Sequence, residues 1–381
     1  MANRFHAMHV TFLLAHPYAP ASMKRVAQAL HRYLPVPSEV RTVSREVPAI
    51  LHAPLPAGMV HVLYVLHARR FLRRMASHLG PQEVVHLVDH SDSFLLSALS
   101  ARLKVVTCHD LIPLIEPSLY RHPWSRWLGR CLYWLTVRDI TRADGVIASS
   151  FATAQHAQRL LGVPSERLRV VYHGVDADFF VPLPAEERRH RRQMQGFHPH
   201  EIVLLHVGSN APYKNIPAIL YTLALLRQQG HFVRWIKAGQ PLSAPLYRLA
   251  RRLGVADCVQ VEPFVDDMRL RELYQICDLL LFPSLQEGFG LPVLEALACG
   301  TPAVIADTPA LNEWARDVCP VAPPRDARAL AERVLQSAQD SHSETFRDRL
   351  REFAEQYHWR RITAHLVEAY RQWETPCGCC M

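Results

Sequence analysis

Short apolar runs of strand length alternate with helical patterns twice along this chain of 381 residues. The runs are rich in valine, isoleucine and leucine, and continuous apolar runs are typical of parallel strands that are buried on both faces. Helical segments between such strands favour sheets covered by helices on both sides. The pattern predicts strands at residues 10–15, 60–66, 84–88, 104–108, 145–149 and 168–172, and again at 202–207, 233–238, 259–261, 279–282 and 303–305. We therefore predict an α/β chain with two parallel sheets.

A charged segment that begins with prolines separates the two sets of strands. Pro182 and Pro184 precede a charged run at 186–192, and this composition interrupts the alternation. After the second set, the apolar period of Ile362 and Leu366 predicts a final helix. The predicted organisation is an N-terminal Rossmann-like domain at 1–178, a linker at 179–200, a C-terminal Rossmann-like domain at 201–358, a helix at 359–374 and a cysteine-rich tail at 375–381.

The composition is typical of a soluble globular protein, with 49% apolar and 20% charged residues. No apolar run reaches the roughly 18 to 20 residues that a membrane helix needs, and the apolar segment at 8–15 lacks a signal-peptide pattern. We expect a cytoplasmic protein whose nine cysteines are reduced. The tail carries three of them, and we expect it to be disordered rather than to hold a soft metal or an acyl chain.

Two glutamates eight residues apart lie across a predicted strand-to-helix turn. Glu287 follows the strand at 279–282, and Glu295 lies on the second turn of a helix predicted at 291–299. Pro292 suits the first turn of that helix, where a proline removes no hydrogen bond. The helix start presents N–H groups and the positive end of the helix dipole at the carboxyl edge of the sheet, where open α/β sheets bind ligands. This arrangement predicts a site for a sugar attached to a diphosphate.

At these residues the chain resembles the retaining nucleotide-sugar glycosyltransferases of family 4, which have the GT-B fold of two facing Rossmann-like domains and a C-terminal helix that crosses back to the first. The resemblance covers a Glu-x7-Glu signature with its flanks Phe-Pro-Ser, Gly-Phe-Gly-Leu-Pro and Ala-Cys-Gly-Thr-Pro-Ala-Val. It implies that Glu287 contacts hydroxyls of the transferred sugar and that Glu295 hydrogen-bonds the ribose. The neighbouring residues expected to bind the donor are Gly288, Phe289, Gly290 and Leu291.

A second segment, at 206–215, is similar to the part of the family that holds the donor diphosphate. Lys214 matches the family's lysine, but Tyr213 stands where an arginine is usual. The resemblance implies that Lys214 and the helix start neutralise the leaving diphosphate, unless Arg269 approaches it. The other expected donor-binding residues of this segment are Gly208 and Asn210.

Three further segments are similar to family members. Residues 107–114 follow a predicted strand and match a His-Asp block, which implies that His109 faces the donor sugar, although a lone histidine among the 22 in this chain is often structural. Residues 264–267 lie where the family's backbone contacts the nucleotide base, so Val265 is an expected donor contact. The segment at 172–176 is predicted to be a structural turn.

The resemblance implies transfer with retention at the anomeric carbon. The candidate catalytic residues are Glu287, His109 and Lys214, and they would act through positioning and preorganised charge rather than as a covalent nucleophile. No metal and no cofactor are expected. The expected donor is a GDP- or UDP-sugar, with mannose from GDP-mannose favoured, and the expected acceptor is a saccharide or lipid-linked molecule in surface polysaccharide or glycoconjugate synthesis.

The basic residues suggest a further partner. The formal net charge is +8, and arginines cluster at 69–74 and at 121–138, where tryptophans are interleaved. One helix face would carry Trp124, Trp127, Leu128, Cys131 and Leu135. This face is compatible with a peripheral helix on an anionic membrane surface, at the inner side of the cytoplasmic membrane, and equally with the core-facing side of an ordinary helix.

Other protein classes share some of these features. A nicotinamide oxidoreductase would need glycines in the turn at 16–22, which contains none. A GT-B epimerase or phosphorylase shares the fold, and a nucleic-acid-binding protein shares the positive charge. Neither predicts the combination of His109, Lys214, Glu287 and Glu295 as well, so no nucleic acid partner is expected.

Overall fold

The computed structural model describes residues 8–14, 21–42, 83–116, 119, 123–263 and 265–374. The chain divides into two compact units, of which one comprises Met1–His173 with Trp359–Met381 and the other comprises Gly174–His358. Four sequence predictions lie outside the described residues, namely the strand at 60–66, most of the turn at 16–22, the arginines at 69–74 and the tail at 375–381.

The first unit contains a parallel sheet whose described strands match the apolar runs of the sequence. Its elements are β1 (Val10–Leu14), α1 (Ala21–Tyr33), β2 (Ser38–Thr42), β3 (Val84–Leu87), β4 (Leu103–Cys108), α2 (Ile112–Ile115), α3 (Pro123–Val137), β5 (Gly145–Ala148), α4 (Phe151–Leu161) and β6 (Leu168–Val170), with short 3-10 helices at His90–Ala98, Arg138–Arg142 and Ser165–Arg167. The strand order is β2-β1-β3-β4-β5-β6. Sequence reasoning missed β2, because this half-buried edge strand has polar residues instead of an apolar run.

The second unit repeats the architecture. Its elements are α5 (Ala185–Met194), β7 (Ile202–Val207), α6 (Ile216–Gln228), β8 (Val233–Ala238), α7 (Ala244–Arg252), β9 (Val259–Glu262), α8 (Asp267–Ile276), β10 (Leu279–Phe282), α9 (Leu291–Ala298), β11 (Ala303–Ala306), α10 (Pro309–Ala315), β12 (Val321–Ala322), α11 (Ala327–Asp340) and α12 (Glu344–Glu355), with 3-10 helices at Ala177–Phe180, Pro212–Lys214 and Ala256–Cys258. Every residue of β10 is fully buried, which explains its continuous apolar run.

The strand order of the second sheet, β12-β11-β10-β7-β8-β9, creates a switch point. From β7 the chain moves outward through β8 to β9, and it then returns to the other side of β7 and continues outward from β10. The chain therefore leaves the carboxyl ends of β7 and β10 towards opposite edges of the sheet. In open α/β sheets, ligands bind at such a switch point.

The segment predicted to be a linker, 179–200, is folded into the second unit. It contains α5, and the Arg188 side chain of this helix is buried. The Arg188 guanidinium donates to the carbonyl oxygens of Gln275 and Cys277 at 3.1 Å each, and it pairs with Asp278 at 3.2 Å. The charged run that suggested a linker thus contains an arginine that anchors the helix.

The last described helix, α13 (Trp359–Glu374), belongs to the first unit. The Thr363 hydroxyl donates to the Tyr33 carbonyl at 2.9 Å, and the Tyr370 hydroxyl lies 2.6 Å from Nδ1 of the buried His86. A Cβ at Gly145 would overlap the Trp373 ring, so glycine is needed there. The chain therefore returns to its first unit after completing the second. None of the described helices is both long enough and apolar enough to cross a membrane.

Candidate functional site

Two loops at the switch point are joined by hydrogen bonds. The loop after β7 leads to the 3-10 helix at Pro212–Lys214, and the loop after β10 leads to α9. The Leu285 N–H donates to the Tyr213 carbonyl at 2.7 Å, and Asn215 Nδ2 donates to the Pro283 carbonyl at 3.0 Å. The structure therefore brings together the two segments that sequence reasoning identified separately.

Lys214 and Glu287 form an ion pair between these loops. Lys214 Nζ lies 2.7 Å from Glu287 Oε1, and the two side chains are only 14% and 8% exposed. The ammonium also lies 5.0 Å from the centre of the Phe282 ring and 5.4 Å from that of Tyr213. The sequence placed the two charges at different ends of the scissile bond, whereas in this structure they neutralise each other.

The start of α9 lies close to Glu287 along the chain. Gly290 precedes the helix with φ +99°, and a Cβ there would come within 2.5 Å of Leu311. Because glycine has no side chain, the helix start has no side-chain cap, and Leu291 is its first residue. The positive end of the helix dipole therefore lies three residues after Glu287. Gly288 lies in the turn between them.

Phe289, which belongs to this turn, packs against Trp314. Its side chain is buried, and its ring stacks on Trp314 with 4.9 Å between the ring centres. Trp314 Nε1 donates to the Phe289 carbonyl at 3.0 Å. Phe289 is therefore a packing residue in the described structure, and the donor contact expected of it would come from its backbone.

Glu295 lies on the second turn of α9, as its spacing predicts, but it is buried. The Tyr274 hydroxyl donates to Glu295 Oε2 at 2.9 Å, and the Tyr274 carbonyl accepts from the Thr301 hydroxyl at 2.6 Å. Sequence reasoning missed Tyr274, because a tyrosine on the neighbouring helix α8 carries no local signal of this role. The bond fixes the orientation of the Glu295 carboxylate.

Asn210 is held by the loop that follows β8. Its N–H donates to Gln240 Oε1 at 3.1 Å, and its Nδ2 donates to the Pro241 carbonyl at 2.6 Å. Its side-chain oxygen has no hydrogen-bond partner among the described residues. Asn210 therefore positions the Gly208 turn and retains one oxygen for a further donor.

The segment after β9 supplies a helix cap and a neutralised arginine. Val265 lies in the loop before α8, and Asp266 caps that helix by accepting from the Arg269 N–H at 2.8 Å. The Arg269 guanidinium pairs with Glu262 and Glu272 at 2.9 Å each. Arg269 is thus held by two carboxylates, and the possibility that it supplements Lys214 is not supported.

A buried lysine that sequence reasoning did not identify lies beneath the Gly208 turn. Lys237, near the end of β8, is fully buried, and its Nζ donates to the Gly208 carbonyl at 3.0 Å. Burial lowers the pKa of Lys237 to about 8. A charged residue among apolar neighbours at the carboxyl end of this strand was the sequence signal. Burial, together with Lys237 and Lys214, lowers the pKa of the neighbouring His206 well below its ordinary value.

His109 lies at the end of β4 in the first unit and is fully engaged there. Its Nε2 is 2.6 Å from the Val88 carbonyl, and its Nδ1 is 3.0 Å from His173 Nε2. Since the carbonyl can only accept, His109 Nε2 carries the proton and His173 donates to Nδ1. Burial lowers the pKa of both histidines, so the pair is neutral at pH 7. The segment at 172–176 thus contributes a contact that its interpretation as a turn did not anticipate.

Family comparisons match nearly the whole chain. Residues 2–179 match the description "Glycosyltransferase Family 4", and residues 187–357 match "Glycosyl transferases group 1". The chain belongs to these glycosyltransferases. The family recognised from the Glu-x7-Glu signature is therefore confirmed, and the alternative of a nucleic-acid-binding protein finds no support among these matches.

Individual relatives of this group 1 chain cover it to different extents. It is 38% identical to D-inositol 3-phosphate glycosyltransferase 2 of Catenulispora acidiphila over 44% of its own length and 41% of that relative. It is 26% identical to O-antigen chain mannosyltransferase B of Escherichia coli over 84% of its length and 83% of that protein. The crystal structure of Anabaena HepE with UDP and glucose has a TM-score of 0.72 at 20% identity and covers 96% of this chain and 99% of that one. These similarities confirm the two-domain α/β GT-B fold.

Helix α3 of this glycosyltransferase family member exposes apolar side chains. Trp127 is 69% exposed and Trp134 is 42% exposed. The interpretation that this face points into the core is therefore wrong for Trp127, and it is also wrong for two other members of the predicted face, Leu128 and Leu135. The side chain of Trp124 lies outside the described residues.

Proposed function

We propose that this chain is a retaining, metal-independent glycosyltransferase that moves a hexose from a nucleotide sugar to a saccharide or lipid-linked acceptor. The observation that carries the proposal is the Lys214–Glu287 ion pair beside the uncapped start of α9, at the switch point of the second sheet. This site offers a cation, a carboxylate and a helix dipole within one crevice, as a sugar diphosphate requires.

Each donor-site residue has a proposed role in this reaction. Lys214 and the α9 start stabilise the negative charge that grows on the leaving diphosphate. Glu287 orients the sugar and stabilises its positive charge, and Glu295, held by Tyr274, accepts hydrogen bonds from the ribose. The proposed backbone contacts are Gly208, Val265, Gly288, Phe289, Gly290 and Leu291, with Asn210 adding its free side-chain oxygen.

His109 is proposed to contact the donor sugar. Both of its ring nitrogens have partners, so contact with a sugar hydroxyl requires that it exchange its bond to Val88 or to His173. Retention follows if the acceptor hydroxyl attacks on the face from which the diphosphate departs. The binding of Glu287 to Lys214 favours an orienting role over a covalent one.

Mannose from GDP-mannose is the proposed donor pair. The similarity to the E. coli O-antigen chain mannosyltransferase supports it, since that similarity extends over 84% of this chain. A lipid-linked acceptor would be reached through α3, whose exposed tryptophans lie beside basic residues. Arg138 stacks over Trp134 at 5.5 Å, and Arg130 is exposed. We propose that this helix binds an anionic membrane surface.

Thermal unfolding with added nucleotides tests the donor assignment. The protein would be heated with GDP, UDP, ADP, GDP-mannose and UDP-glucose in EDTA. Stabilisation by GDP and GDP-mannose is expected, by about 2.7 kcal/mol at a ligand concentration 100 times Kd. Stabilisation by UDP alone would make the GDP-mannose assignment wrong, and stabilisation by no nucleotide would contradict the donor site itself. The anomeric configuration of the first product, followed by NMR, tests retention.

A further inference from the structure

The proposed diphosphate site contains little net positive charge. Lys214 is neutralised by Glu287 at 2.7 Å, and Arg269 is neutralised by two other glutamates. The α9 start contributes the equivalent of roughly half an elementary charge. A diphosphate gains negative charge as it departs, and each further preorganised donor or cation would stabilise that charge.

Lys237 places an additional ammonium directly beneath the Gly208 turn. The side chain is fully buried, and it forms no ion pair within 4 Å among the described residues, although Glu262 lies at the end of the neighbouring strand. An isolated buried charge is costly to the fold. Its position opposite His206 on the neighbouring strand β7 puts it at the carboxyl edge of the sheet.

Gly208 is held by hydrogen bonds at both its N–H and its carbonyl oxygen. Lys237 Nζ donates to the Gly208 carbonyl at 3.0 Å, and the Gly208 N–H donates to the Ala238 carbonyl at 3.0 Å. A Cβ on Gly239 would lie 2.7 Å from the Gly208 oxygen, so only glycine leaves room for this carbonyl. In a planar trans peptide the following N–H, that of Ser209, points opposite to the carbonyl. Lys237 therefore holds the Ser209 N–H on the side of the peptide that faces away from its own ammonium.

His206 supplies an independent sign of an incomplete polar site. Its ring is fully buried, and neither ring nitrogen has a hydrogen-bond partner among the described residues. Its Cε1 would lie 3.6 Å from a Cβ on Gly208, so the ring packs under the same turn as Lys237. Buried polar atoms without partners are rare and point to a missing ligand or water.

We propose that Lys237 is a positioning residue for the donor diphosphate, because its ammonium clamps the Gly208 carbonyl and thereby presents the Ser209 N–H and an uncompensated positive charge to the phosphate groups. This role rests on the donor site of the proposed function. Lys237 acts through the Gly208 turn and does not itself touch the donor. Its charge increases the positive potential at the diphosphate site, to which Lys214 contributes from the loop after β7.

Substitution of Lys237 by methionine tests the role, because methionine keeps much of the side-chain length and removes the charge. Arg234→Met is a matched control on the same strand, since its guanidinium bonds to Glu201 at 3.1 Å and lies away from the Gly208 turn. Affinities for GDP, UDP, guanosine and uridine would be measured by equilibrium titration. For the nucleotide that the wild type prefers, Lys237→Met should weaken binding of the nucleoside diphosphate about tenfold. This is the typical effect of losing one charge-assisted hydrogen bond. Nucleoside affinity should change less than twofold.

The outcomes separate this inference from the proposed function. Wild-type protein that binds neither GDP nor UDP would overturn the donor site and this inference with it. Wild-type binding that Lys237→Met leaves intact would overturn only the role of Lys237. Equal losses for nucleoside and nucleoside diphosphate would reveal general damage to the fold and would also overturn the positioning role.

The wild-type protein provides a second readout that needs no substitution. Lys237 loses its proton above pH 8, so diphosphate affinity should fall about fourfold between pH 7.0 and pH 8.8 and should stay flat in Lys237→Met. The other ionisable groups around it are His206 on β7, Lys214 and Glu287 in the two loops, and Glu262 at the end of β9, which pairs with an arginine. A flat wild-type profile would contradict the proposal.

Discussion

At the scale of single residues, the main result is the direct pairing of Lys214 with Glu287. Removal of either partner leaves the other charge mostly buried and without its counter-ion. For a fully buried pair such a removal typically destabilises the fold by about 3–5 kcal/mol, and the loss is smaller for a pair that retains some exposure. A neutral side chain that keeps the hydrogen bond is therefore the better probe. Glutamine in place of Glu287 can still accept a bond from Lys214.

Glu287→Gln should lower kcat by ~10² to 10³, because it removes a preorganised charge beside the sugar. Affinity for the nucleoside diphosphate should not fall, since Lys214 is then no longer neutralised. Steady-state kinetics and nucleotide titration would measure both effects, with Glu201→Gln on the opposite end of the sheet as control. An unchanged kcat would show that Glu287 has no role in the reaction.

Tyr274→Phe should weaken nucleoside diphosphate binding by about 1 kcal/mol, because it frees the Glu295 carboxylate to rotate. Glu295→Ala should weaken it by about 1.5–3 kcal/mol. If the tyrosine acts only through Glu295, adding Tyr274→Phe to Glu295→Ala should cause no further loss of affinity. Additive losses in this double-mutant cycle would show that Tyr274 acts independently.

At the scale of secondary-structure elements, the sequence predicts the strands that are buried on both faces. The bounds of β7, β8 and β10 match the prediction because most residues of these strands are buried and apolar. The strand β12 has only two residues and no pattern to detect. Helix α5 escaped prediction because its anchor, Arg188, bonds to backbone carbonyls that come together only in the fold.

The exposed face of α3 should bind anionic vesicles. Its apolar residues Trp127, Leu128, Leu132, Trp134 and Leu135 span about 160° of the helix surface at 100° per residue. The protein should sediment with vesicles of phosphatidylglycerol but not of phosphatidylcholine, and less so at high salt. Trp127→Ser combined with Leu135→Ser should abolish sedimentation, whereas Phe232→Ser, which changes an exposed aromatic residue in the other unit, should not. Equal binding to both vesicle types would contradict an electrostatic membrane site.

At the scale of the whole molecule, the site depends on strand order, which the sequence pattern does not reveal. The motifs at Lys214 and Glu287 were recognisable one at a time, but their pairing follows from β7 lying next to β10. The partners of His109 and of Glu295 likewise come from distant segments. For this reason the residues were found from the sequence, and their hydrogen bonds were not.

The buried histidines of the first unit predict a loss of stability in acid. Burial, with a contribution from His109, lowers the His86 pKa to about 3, below its value of about 6.5 in the unfolded chain. As the pH falls below 6.5 the unfolded chain binds the proton first, so the free energy of unfolding should decrease by about 2 kcal/mol at pH 5 for this group. Urea unfolding at pH 7.5 and pH 5 would measure it. His86→Gln should reduce the difference, whereas a change at the exposed His342 should leave it intact.

Transfer of a sugar by the purified wild-type protein tests the central claim most directly. The protein would be incubated in EDTA with radiolabelled GDP-mannose or UDP-glucose and with saccharide or lipid-linked acceptors, and both released nucleoside diphosphate and labelled product would be quantified. We expect equal amounts of the two from one of the donors, with GDP-mannose preferred. A folded protein that consumes neither donor in the presence of these acceptors would contradict the assignment of the Lys214–Glu287 crevice as a sugar-transfer site.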